Sequence, residues 1–286
     1  MPELPELQAL AEFLNDRARG LGVERCELAA IAALKTFDPP LEVLVGRTFT
    51  SCTRRGKYLC ADLEGTWLVT HLARGGWVKW SESLPTAPAR PGRGPLALRV
   101  GFSDGSGMDV TEMGTEKRLG MWVVRDPNEI ESVANLGPDP LDPRFDADAL
   151  GKLLAQEPGT IKNALVDQSV IAGVGNAYSD EALHAAKLSP FKHAKNLEPP
   201  EVRQLYEALV GVLGEAVQRS TGLSAAELKG DKKRSMRVHG RTGERCPECG
   251  DVIREVAFAT KSLQYCPTCQ TGGKPLADRR LSRLLR

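Results

Sequence analysis

The second residue of the chain is a proline, and its chemistry depends on the removal of Met1. Processing enzymes commonly remove methionine before a small residue such as proline, which would expose the secondary amine of Pro2. An α-amino group has a pKa near 7.7–8, so roughly 10% of it is uncharged at neutral pH, against below ~0.1% for lysine. That amine can form a Schiff base with an aldehyde or with C1′ of a sugar. Glu3 and Glu6 follow it; the alternative is a purely structural helix start with acidic residues in its first turn.

Four of the seven cysteines form two C-x-x-C pairs that are 16 residues apart, Cys246 with Cys249 and Cys266 with Cys269. This spacing is typical of a zinc site rather than of a disulfide framework. Two such turns complete a tetrahedron of thiolates around the metal. Because four thiolates leave no open position, we expect one structural zinc ion. The other three cysteines are isolated in the sequence and are expected to be small buried residues: Cys26, Cys52 and Cys60.

Two further segments could bind an anion. Lys162 opens a predicted helix, and the glycine-rich turn at 173–176 precedes the next one, which Asn176 could cap. The N–H groups of that helix would then face an anion such as phosphate. The basic run at 54–57 precedes a strand. The alternatives are an ordinary turn between helices and a solvated hairpin.

The composition and the charge distribution restrict the class of protein. Of 286 residues, 41% are hydrophobic and 26% are charged, as in folded soluble proteins. No apolar run approaches the roughly 18 residues of a membrane span, and the acidic start is not a secretory signal, so a cytoplasmic location is expected. The net charge is +1, but the segment from Lys229 to Arg286 holds 14 Lys and Arg against 6 Asp and Glu. This basic end indicates either a polyanion partner or a solvated surface.

The hydrophobic pattern predicts three kinds of structure in order along the chain. A first helix begins near Pro5, and strand-like runs separated by glycine turns fill 46–124. The exit linker is predicted at Asp126-Pro127 and at 137–140, helical periodicity fills 146–220, and the cysteine pairs follow.

Six motifs occur together nearly from end to end of the chain. They are P-E-L-P-E at 2–6, G-K-Y-L at 56–59, H-L-x-x-x-G at 71–76, L-G-P-D-P-L at 136–141, the I-K to G-V-G-N-A-Y-S-D-E block at 161–181, and V-H-G-R-T-G-E at 238–244. In this combination the chain resembles the formamidopyrimidine-DNA glycosylase/endonuclease VIII family of base-excision repair enzymes. The resemblance favours the catalytic interpretation of Pro2.

The resemblance implies an α+β fold: an N-terminal antiparallel β-sandwich with a leading helix, a helix–two-turn–helix domain and a C-terminal four-cysteine zinc β-ribbon. The expected boundaries are 1–135 for the catalytic sandwich, 136–235 for the helical DNA-binding domain, 236–270 for the zinc finger and 271–286 for a basic tail.

The resemblance also implies roles for residues near the N-terminus. Pro2 attacks C1′ of a damaged nucleotide, releases the base and leaves an imine to the sugar. Glu3 protonates the ring oxygen, Glu6 supports that site, and Lys57 contacts a phosphate and helps with proton transfer. Because the imine makes the C2′ proton acidic, β- and then δ-elimination cut the strand on both sides of the abasic sugar.

Five residues are expected to bind DNA on the same resemblance. Lys162 and Asn176 bind the phosphates that flank the lesion, Lys261 of the ribbon binds another, and Arg74 and Arg118 lie in motifs next to the extruded base. Such an enzyme holds the backbone, bends the duplex and keeps the base outside the stack.

The chain departs from the formamidopyrimidine branch where that branch reads the lesion. Arg74 replaces a methionine wedge, and the usual R-R-F-G reads K-R-L-G at 117–120, which puts Leu119 in place of an aromatic intercalator. Lys261 replaces an arginine, which gives a point charge instead of a bidentate fork. Specificity for 8-oxoguanine is therefore not implied.

We therefore expect a monomeric, nucleoid-associated DNA glycosylase and AP lyase that acts on damaged, oxidised bases in double-stranded DNA, without a membrane partner. One alternative is a damaged-DNA-binding paralogue that has AP lyase activity only, or no base excision. A second is a glycosylase for oxidised pyrimidines or bulky adducts. A zinc-ribbon transcription factor would leave Pro2 without a role.

Overall fold

The computed structural model describes residues 1–92, 94–258 and 262–277. Lys261 and most of the basic tail, 278–286, lie outside the described residues. The chain forms two compact units: residues 1–136 with 219–230, and residues 137–218 with 231–286. Within the described residues, no helix combines the length and the apolar character that a bilayer crossing requires.

The first unit begins with helix α1 (Leu4–Ala18) and continues with eight strands and a short helix. These are β1 (Val23–Leu28), β2 (Phe49–Arg55), β3 (Tyr58–Leu63), β4 (Thr66–His71), β5 (Gly76–Ser81), β6 (Leu96–Phe102), β7 (Gly107–Glu112), β8 (Gly120–Val124) and α2 (Glu131–Ala134). Short 3-10 helices cover Ile31–Ala33, Leu41–Leu44 and Pro127–Glu129.

The strands form two four-stranded antiparallel sheets with the orders β1-β6-β7-β5 and β2-β3-β4-β8. One hydrophobic core joins the two sheets and α1. Phe49 of β2 meets Phe102 of β6 edge to face, with ring centroids 6.0 Å apart, so the sheets pack face to face. Helix α1 contributes Leu7, Leu10 and Leu14, whose helical spacing puts them on one buried stripe.

The second unit is helical and ends in a ribbon. Its elements are α3 (Ala147–Gln156), α4 (Ile161–Val166), α5 (Asn176–Ala185), most of α6 (Pro199–Ser220), the end of α7 (Ala225–Ser235), β9 (Arg254–Ala257), β10 (Ser262–Tyr265) and α8 (Pro267–Thr271), with a 3-10 helix at Ala194–Asn196. Strands β9 and β10 pair antiparallel, so they form the ribbon that the cysteine spacing predicts.

The predicted fold class is confirmed: a leading helix, two antiparallel sheets around a common core, a helical segment and a four-cysteine ribbon follow in the expected order. The isolated cysteines also behave largely as expected. Cys52 and Cys60 are fully buried, whereas Cys26 is partly exposed. Burial raises the pKa of the Cys26 and Cys60 thiols to about 12, so neither forms a thiolate near neutral pH.

Candidate functional site

The start of the chain is fixed by a capping box at the N-terminus of α1. The Glu3 side chain accepts a hydrogen bond from the backbone N–H of Glu6, and the backbone N–H of Glu3 donates to Glu6 Oε2 at 2.8 Å. Both carboxylates are buried, with 3% and 2% of each residue exposed, and Pro2 is also buried. A charged carboxylate is buried only where hydrogen bonds or charges compensate its lost hydration. The first six residues therefore form a defined polar cluster instead of a frayed end.

Helix α1 lies along strand β2, which sets the direction in which its N-terminus points. The Asn15 side chain exchanges two hydrogen bonds with the backbone of Cys52, and seven residues earlier Gln8 accepts one from Arg54. Moving toward the N-terminus of α1 thus corresponds to moving toward the C-terminal end of β2. The start of the helix is directed toward the turn that contains Lys57.

Lys57 lies in the tight turn between β2 and β3 and is 7% exposed. The neighbouring Tyr58 pairs with His71 of β4 across the sheet, and their ring centroids are 4.9 Å apart. Burial, together with the positive charge of Lys57, lowers the pKa of His71 to about 4. His71 is therefore neutral near pH 7. The sequence alone suggests only a packing role for it; the structure puts it opposite Tyr58, the residue that follows Lys57.

The turn that follows β4 holds Arg74 at the surface. The backbone N–H of Gly76 donates to the carbonyl of Leu72, which closes the turn. A Cβ atom at Gly75 would lie 2.1 Å from the Met113 carbonyl oxygen, and one at Gly76 would lie 2.1 Å from the Leu72 carbonyl oxygen. Both glycines are required by this packing, and the turn is held against the loop between β7 and β8.

The loop between β7 and β8 is organised by one buried carboxylate. Glu112 Oε1 accepts hydrogen bonds from the backbone N–H groups of Arg118 and Leu119, at 2.7 and 2.9 Å. The Arg118 side chain remains exposed and pairs with Glu116 at 3.1 Å, an exposed contact that stabilises little. Leu119 is buried in the core, so it cannot insert between bases in this arrangement. Met113 of the same loop is 60% exposed, and no motif in the sequence marks it.

Lys162 in the second unit is buried in the first turn of α4. Its Nζ donates to the Asn176 carbonyl at 2.8 Å, to Ser179 Oγ at 2.8 Å and to the Asp180 carboxylate. An ammonium has three N–H donors, and these contacts engage all of them. These contacts hold the Lys162 side chain against the first turn of α5.

Asn176 is the first residue of α5, and Gly175 is its cap, which corrects the expectation that Asn176 caps the helix. The reason is that the Asn176 amide donates to the carbonyl of Ser262 at the start of β10. Lys162 and Asn176 line a cleft of about 210 Å³ whose apolar wall is formed by Phe191 and Phe258. This cleft combines polar groups at a helix N-terminus with room for a small ligand.

Two buried carboxylates of α5 hold the ribbon and the segment that precedes it against this helix. Asp180 Oδ2 contacts His239 Nδ1 at 2.7 Å and accepts the backbone N–H of Gln264 at 3.2 Å. The Glu181 carboxylate accepts three consecutive backbone N–H groups, those of residues 237–239, at 2.7–2.9 Å. In the sequence both acids are marked only as members of the motif at 161–181. Their partners in the segment 237–264 lie more than 50 residues away, so no local pattern could identify these contacts.

The four cysteines of the ribbon are brought together as predicted. All four sulfur atoms lie within 4.8 Å of one another. The Sγ atoms of Cys246 and Cys269 are 3.9 Å apart, and those of Cys249 and Cys266 are 3.3 Å apart. These distances are close to the ~3.8 Å between neighbouring sulfur atoms in a tetrahedron with Zn–S bonds of about 2.3 Å. The residues fit one structural zinc ion. When bound, that ion supplies a cross-link between the two turns and no chemistry of its own.

One further side chain reaches this cluster. The imidazole Nε2 of His184, on α5, lies 3.3 Å from Cys246 Sγ, and the residue is 1% exposed. A lone histidine in a helix carries no sequence signal for such a contact.

Three family models match the chain. The formamidopyrimidine-DNA glycosylase N-terminal domain matches residues 1–116, the formamidopyrimidine-DNA glycosylase H2TH domain matches 136–227, and the zinc finger found in FPG and IleRS matches 243–272. These matches include the capping box, the α4–α5 pair and the cysteine cluster.

Curated relatives and solved structures agree with these matches. Formamidopyrimidine-DNA glycosylase of Symbiobacterium thermophilum is 35% identical over 279 residues, which is 94% of this chain and 89% of that protein. An uncharacterized formamidopyrimidine-DNA glycosylase-like protein of Mycobacterium tuberculosis is 60% identical over 151 residues, 53% of this chain and 94% of that protein. The crystal structure of the Lactococcus lactis glycosylase bound non-covalently to DNA with an AP site is 26% identical, with a TM-score of 0.81, and covers 94% of this chain and 99% of that one.

The relative from Symbiobacterium aligns with nearly the whole chain, and the matched domains occur in the same order as the sheets, the helices and the cysteine cluster described above. The chain therefore belongs to the formamidopyrimidine-DNA glycosylase family, which comprises zinc-finger DNA repair enzymes for damaged bases.

Proposed function

We propose that the protein is a bifunctional DNA glycosylase and AP lyase that excises damaged, oxidised bases with Pro2 as the nucleophile. The observation that supports the proposal is the buried capping box, in which the Glu3 and Glu6 carboxylates accept each other's backbone N–H groups in the turn that follows Pro2. An ordinary helix start would leave both acids in water, where each is best hydrated. The proposal requires removal of Met1.

The proposed chemistry needs one nucleophile and one proton donor at the sugar. The Pro2 nitrogen forms a bond to C1′, and the damaged base leaves with the electron pair of its glycosidic bond and takes up a proton. The C1′–O4′ bond then breaks while Glu3 supplies a proton to O4′. Because the Pro2 nitrogen is a secondary amine, the product is a positively charged iminium ion.

Strand cleavage follows from that charge. The iminium ion makes the C2′ proton acidic, and its loss expels the 3′ phosphate. A second proton loss, at C4′, expels the 5′ phosphate, and water then hydrolyses the iminium to free the enzyme. We assign phosphate contact and assistance in these proton transfers to Lys57. Its burial and its electrostatic effect on the neutral His71 support a specific position for it.

DNA binding is assigned to both units. In the second unit, Asn176 and the cleft beside it bind a backbone phosphate, and Lys162 holds the Asn176 carbonyl in place. In the first unit, the exposed side chains of Arg74 and Arg118 contact DNA next to the lesion. Lys261 is assigned a phosphate contact on the resemblance alone. The partner is double-stranded DNA, and the protein acts as a monomer.

An enzyme that extrudes a base commonly inserts an apolar side chain where the stack is interrupted. Leu119, which the family resemblance puts in the position of the intercalating residue, is buried. Met113 is the large apolar side chain that the loop between β7 and β8 exposes, and its backbone N–H bonds to the carbonyl of Gly75, next to Arg74. We assign the wedge to Met113.

Reductive trapping tests the proposal. Wild-type protein and Pro2→Gly are incubated with duplexes that carry an abasic site or a defined oxidised base, in the presence of borohydride, and covalent adducts are counted. We expect an adduct with wild type and a loss of trapping with Pro2→Gly, while binding to abasic DNA persists. Mass spectrometry of the purified protein must find Pro2 as the first residue. Undiminished trapping by Pro2→Gly contradicts the proposal.

A panel of lesions separates the proposed activity from its alternatives. Base release is scored separately from strand scission for oxidised purines, oxidised pyrimidines and bulky adducts. Release of oxidised bases supports the glycosylase. Scission of abasic DNA without any base release identifies a lyase only, and binding without a covalent adduct identifies a damage-binding protein.

A further inference from the structure

The last turn of α5 contains a histidine that contacts the four-cysteine cluster. His184 lies three residues after Glu181 on this helix and is 1% exposed. Its Nε2 lies 3.3 Å from the sulfur of Cys246, which is 3% exposed. Its Nδ1 has no hydrogen-bond partner within the part of the chain that the structure describes. The sulfur is therefore the polar contact that the structure gives to this buried ring.

The chemistry of the cluster decides which atom donates. As a zinc ligand, Cys246 is a thiolate, and a thiolate can only accept a hydrogen bond. The histidine must then carry its proton on Nε2 and donate it to the sulfur. A polar ring that is buried without a partner is destabilising, so this contact also explains how the ring can occupy an apolar site.

We propose that His184 is the outer-shell partner of the zinc ligand Cys246, and that its N–H···S hydrogen bond retards attack on that thiolate and loss of the metal. Four thiolates place a net charge of −2 on a zinc centre, and a donated hydrogen bond withdraws electron density from the sulfur. His184 lies outside the four-sulfur cluster, so it acts on a ligand and is not itself one. It is a positioning residue.

The same helix links the metal to the DNA-binding cleft. Helix α5 begins at Asn176, which lines the cleft, and carries His184 in its last turn. Removing the histidine should therefore loosen the ribbon from α5, in addition to exposing the thiolate.

Zinc release tests the proposal without any assay of enzyme activity. The full-length zinc protein is treated with N-ethylmaleimide, and the released metal is followed with a chromogenic chelator. His184→Phe keeps the size of the ring and removes the donor, whereas His184→Gln keeps an N–H group at a similar distance. We expect about tenfold faster release from His184→Phe and a rate near that of wild type from His184→Gln.

Two features of the chain keep this assay specific. Burial raises the pKa of Cys26 and Cys60 to about 12, and Cys52 is fully buried, so the reagent reports on the ribbon thiolates. His193→Phe is the matched control because His193 is exposed, and it should release zinc at the wild-type rate. Equal release rates for wild type and His184→Phe overturn the proposal.

Two spectroscopic measurements extend the test. In the cobalt-substituted protein, loss of the hydrogen bond should shift the sulfur-to-cobalt charge-transfer band in His184→Phe but not in His184→Gln. In wild-type zinc protein, long-range ¹⁵N–¹H imidazole spectra should find the proton of His184 on Nε2. A proton on Nδ1 alone refutes the proposal, even if His184→Phe fails to fold.

Discussion

The backbone N–H of Glu3 donates a hydrogen bond to Glu6 Oε2 at 2.8 Å, within the first turn of the chain. This contact fixes the backbone next to Pro2, so in the proposed active site Glu6 acts by positioning that backbone without touching the substrate. A glutamine can replace glutamate in a capping box, because its amide oxygen accepts the same hydrogen bond.

Replacement of Glu6 separates its structural contribution from its charge. Glu6→Ala should lower the free energy of unfolding by about 1 kcal/mol and reduce base release, because the N-terminal turn loses its anchor. Glu6→Gln should restore most of both. Urea unfolding and single-turnover excision measure the two effects. If Glu6→Gln is as inactive as Glu6→Ala while its stability is normal, the charge of Glu6 is itself required.

His71 makes stability depend on pH. Its pKa is about 4 in the folded protein against an ordinary 6.5, so the unfolded chain binds a proton more readily. The folded state has its full stability above pH 6.5, where His71 is neutral in both states. This stability is lost as the pH falls toward 4, because the unfolded chain takes up the proton first. The shift corresponds to at most about 3 kcal/mol at 1.36 kcal/mol per pKa unit.

His71→Gln should therefore show a shallower loss of stability between pH 7 and pH 4.5 than wild type, in urea unfolding at several pH values. His193→Gln, at an exposed position, should follow the wild-type curve. Parallel curves for His71→Gln and wild type would show that the ring is solvated in the folded state.

Met113→Ala tests the assignment of the wedge. The variant should excise a base from duplex DNA several-fold more slowly, because unstacking is no longer compensated, while cleavage of a single-stranded abasic oligonucleotide stays unchanged. Phe37→Ala removes an even more exposed apolar side chain, 85% against 60%, from the same unit and serves as the control. An equal loss on both substrates would point to a folding defect and not to a wedge.

Cys249→Ser tests the metal centre. The variant should lose its zinc and bind duplex DNA more weakly, while the thermal transition of the sheet-rich unit changes little, because Cys249 belongs to the other unit. Metal analysis and fluorescence polarisation with an abasic-analogue duplex provide the measurements. Cys26→Ser should keep one zinc per chain. Unchanged affinity in zinc-free Cys249→Ser would exclude the ribbon from DNA binding.

The parts that the sequence predicts well depend on short-range patterns. The cysteine spacing identifies the zinc site, and the acidic residues after Pro2 identify a helix start, because both depend on a few neighbouring residues. The strands of the sheets follow from alternation and glycine turns. For the same reason the order of the fold is recovered from end to end.

The parts that it misses depend on distant contacts. Asn176 is not the helix cap because its amide bonds to Ser262, 86 residues later. His184 meets Cys246 across 62 residues, and the exposure of Met113 follows from how Glu112 folds the loop. Burial and long-range partners of this kind cannot be read from residue type, so single polar side chains in helices and loops have no recognisable signal.

The packing of the amino end has a practical consequence for making this protein. Pro2 is buried and Leu4 is completely enclosed, so α1 enters the core almost at once. An affinity tag or a fluorescent fusion placed ahead of Pro2 would leave through the position of Met1, which is 47% exposed, and it would convert the amine of Pro2, the proposed nucleophile, into an unreactive amide. Recombinant preparations used to test the proposed activity must therefore carry any appended sequence elsewhere and must be produced in a host that trims the initiator residue.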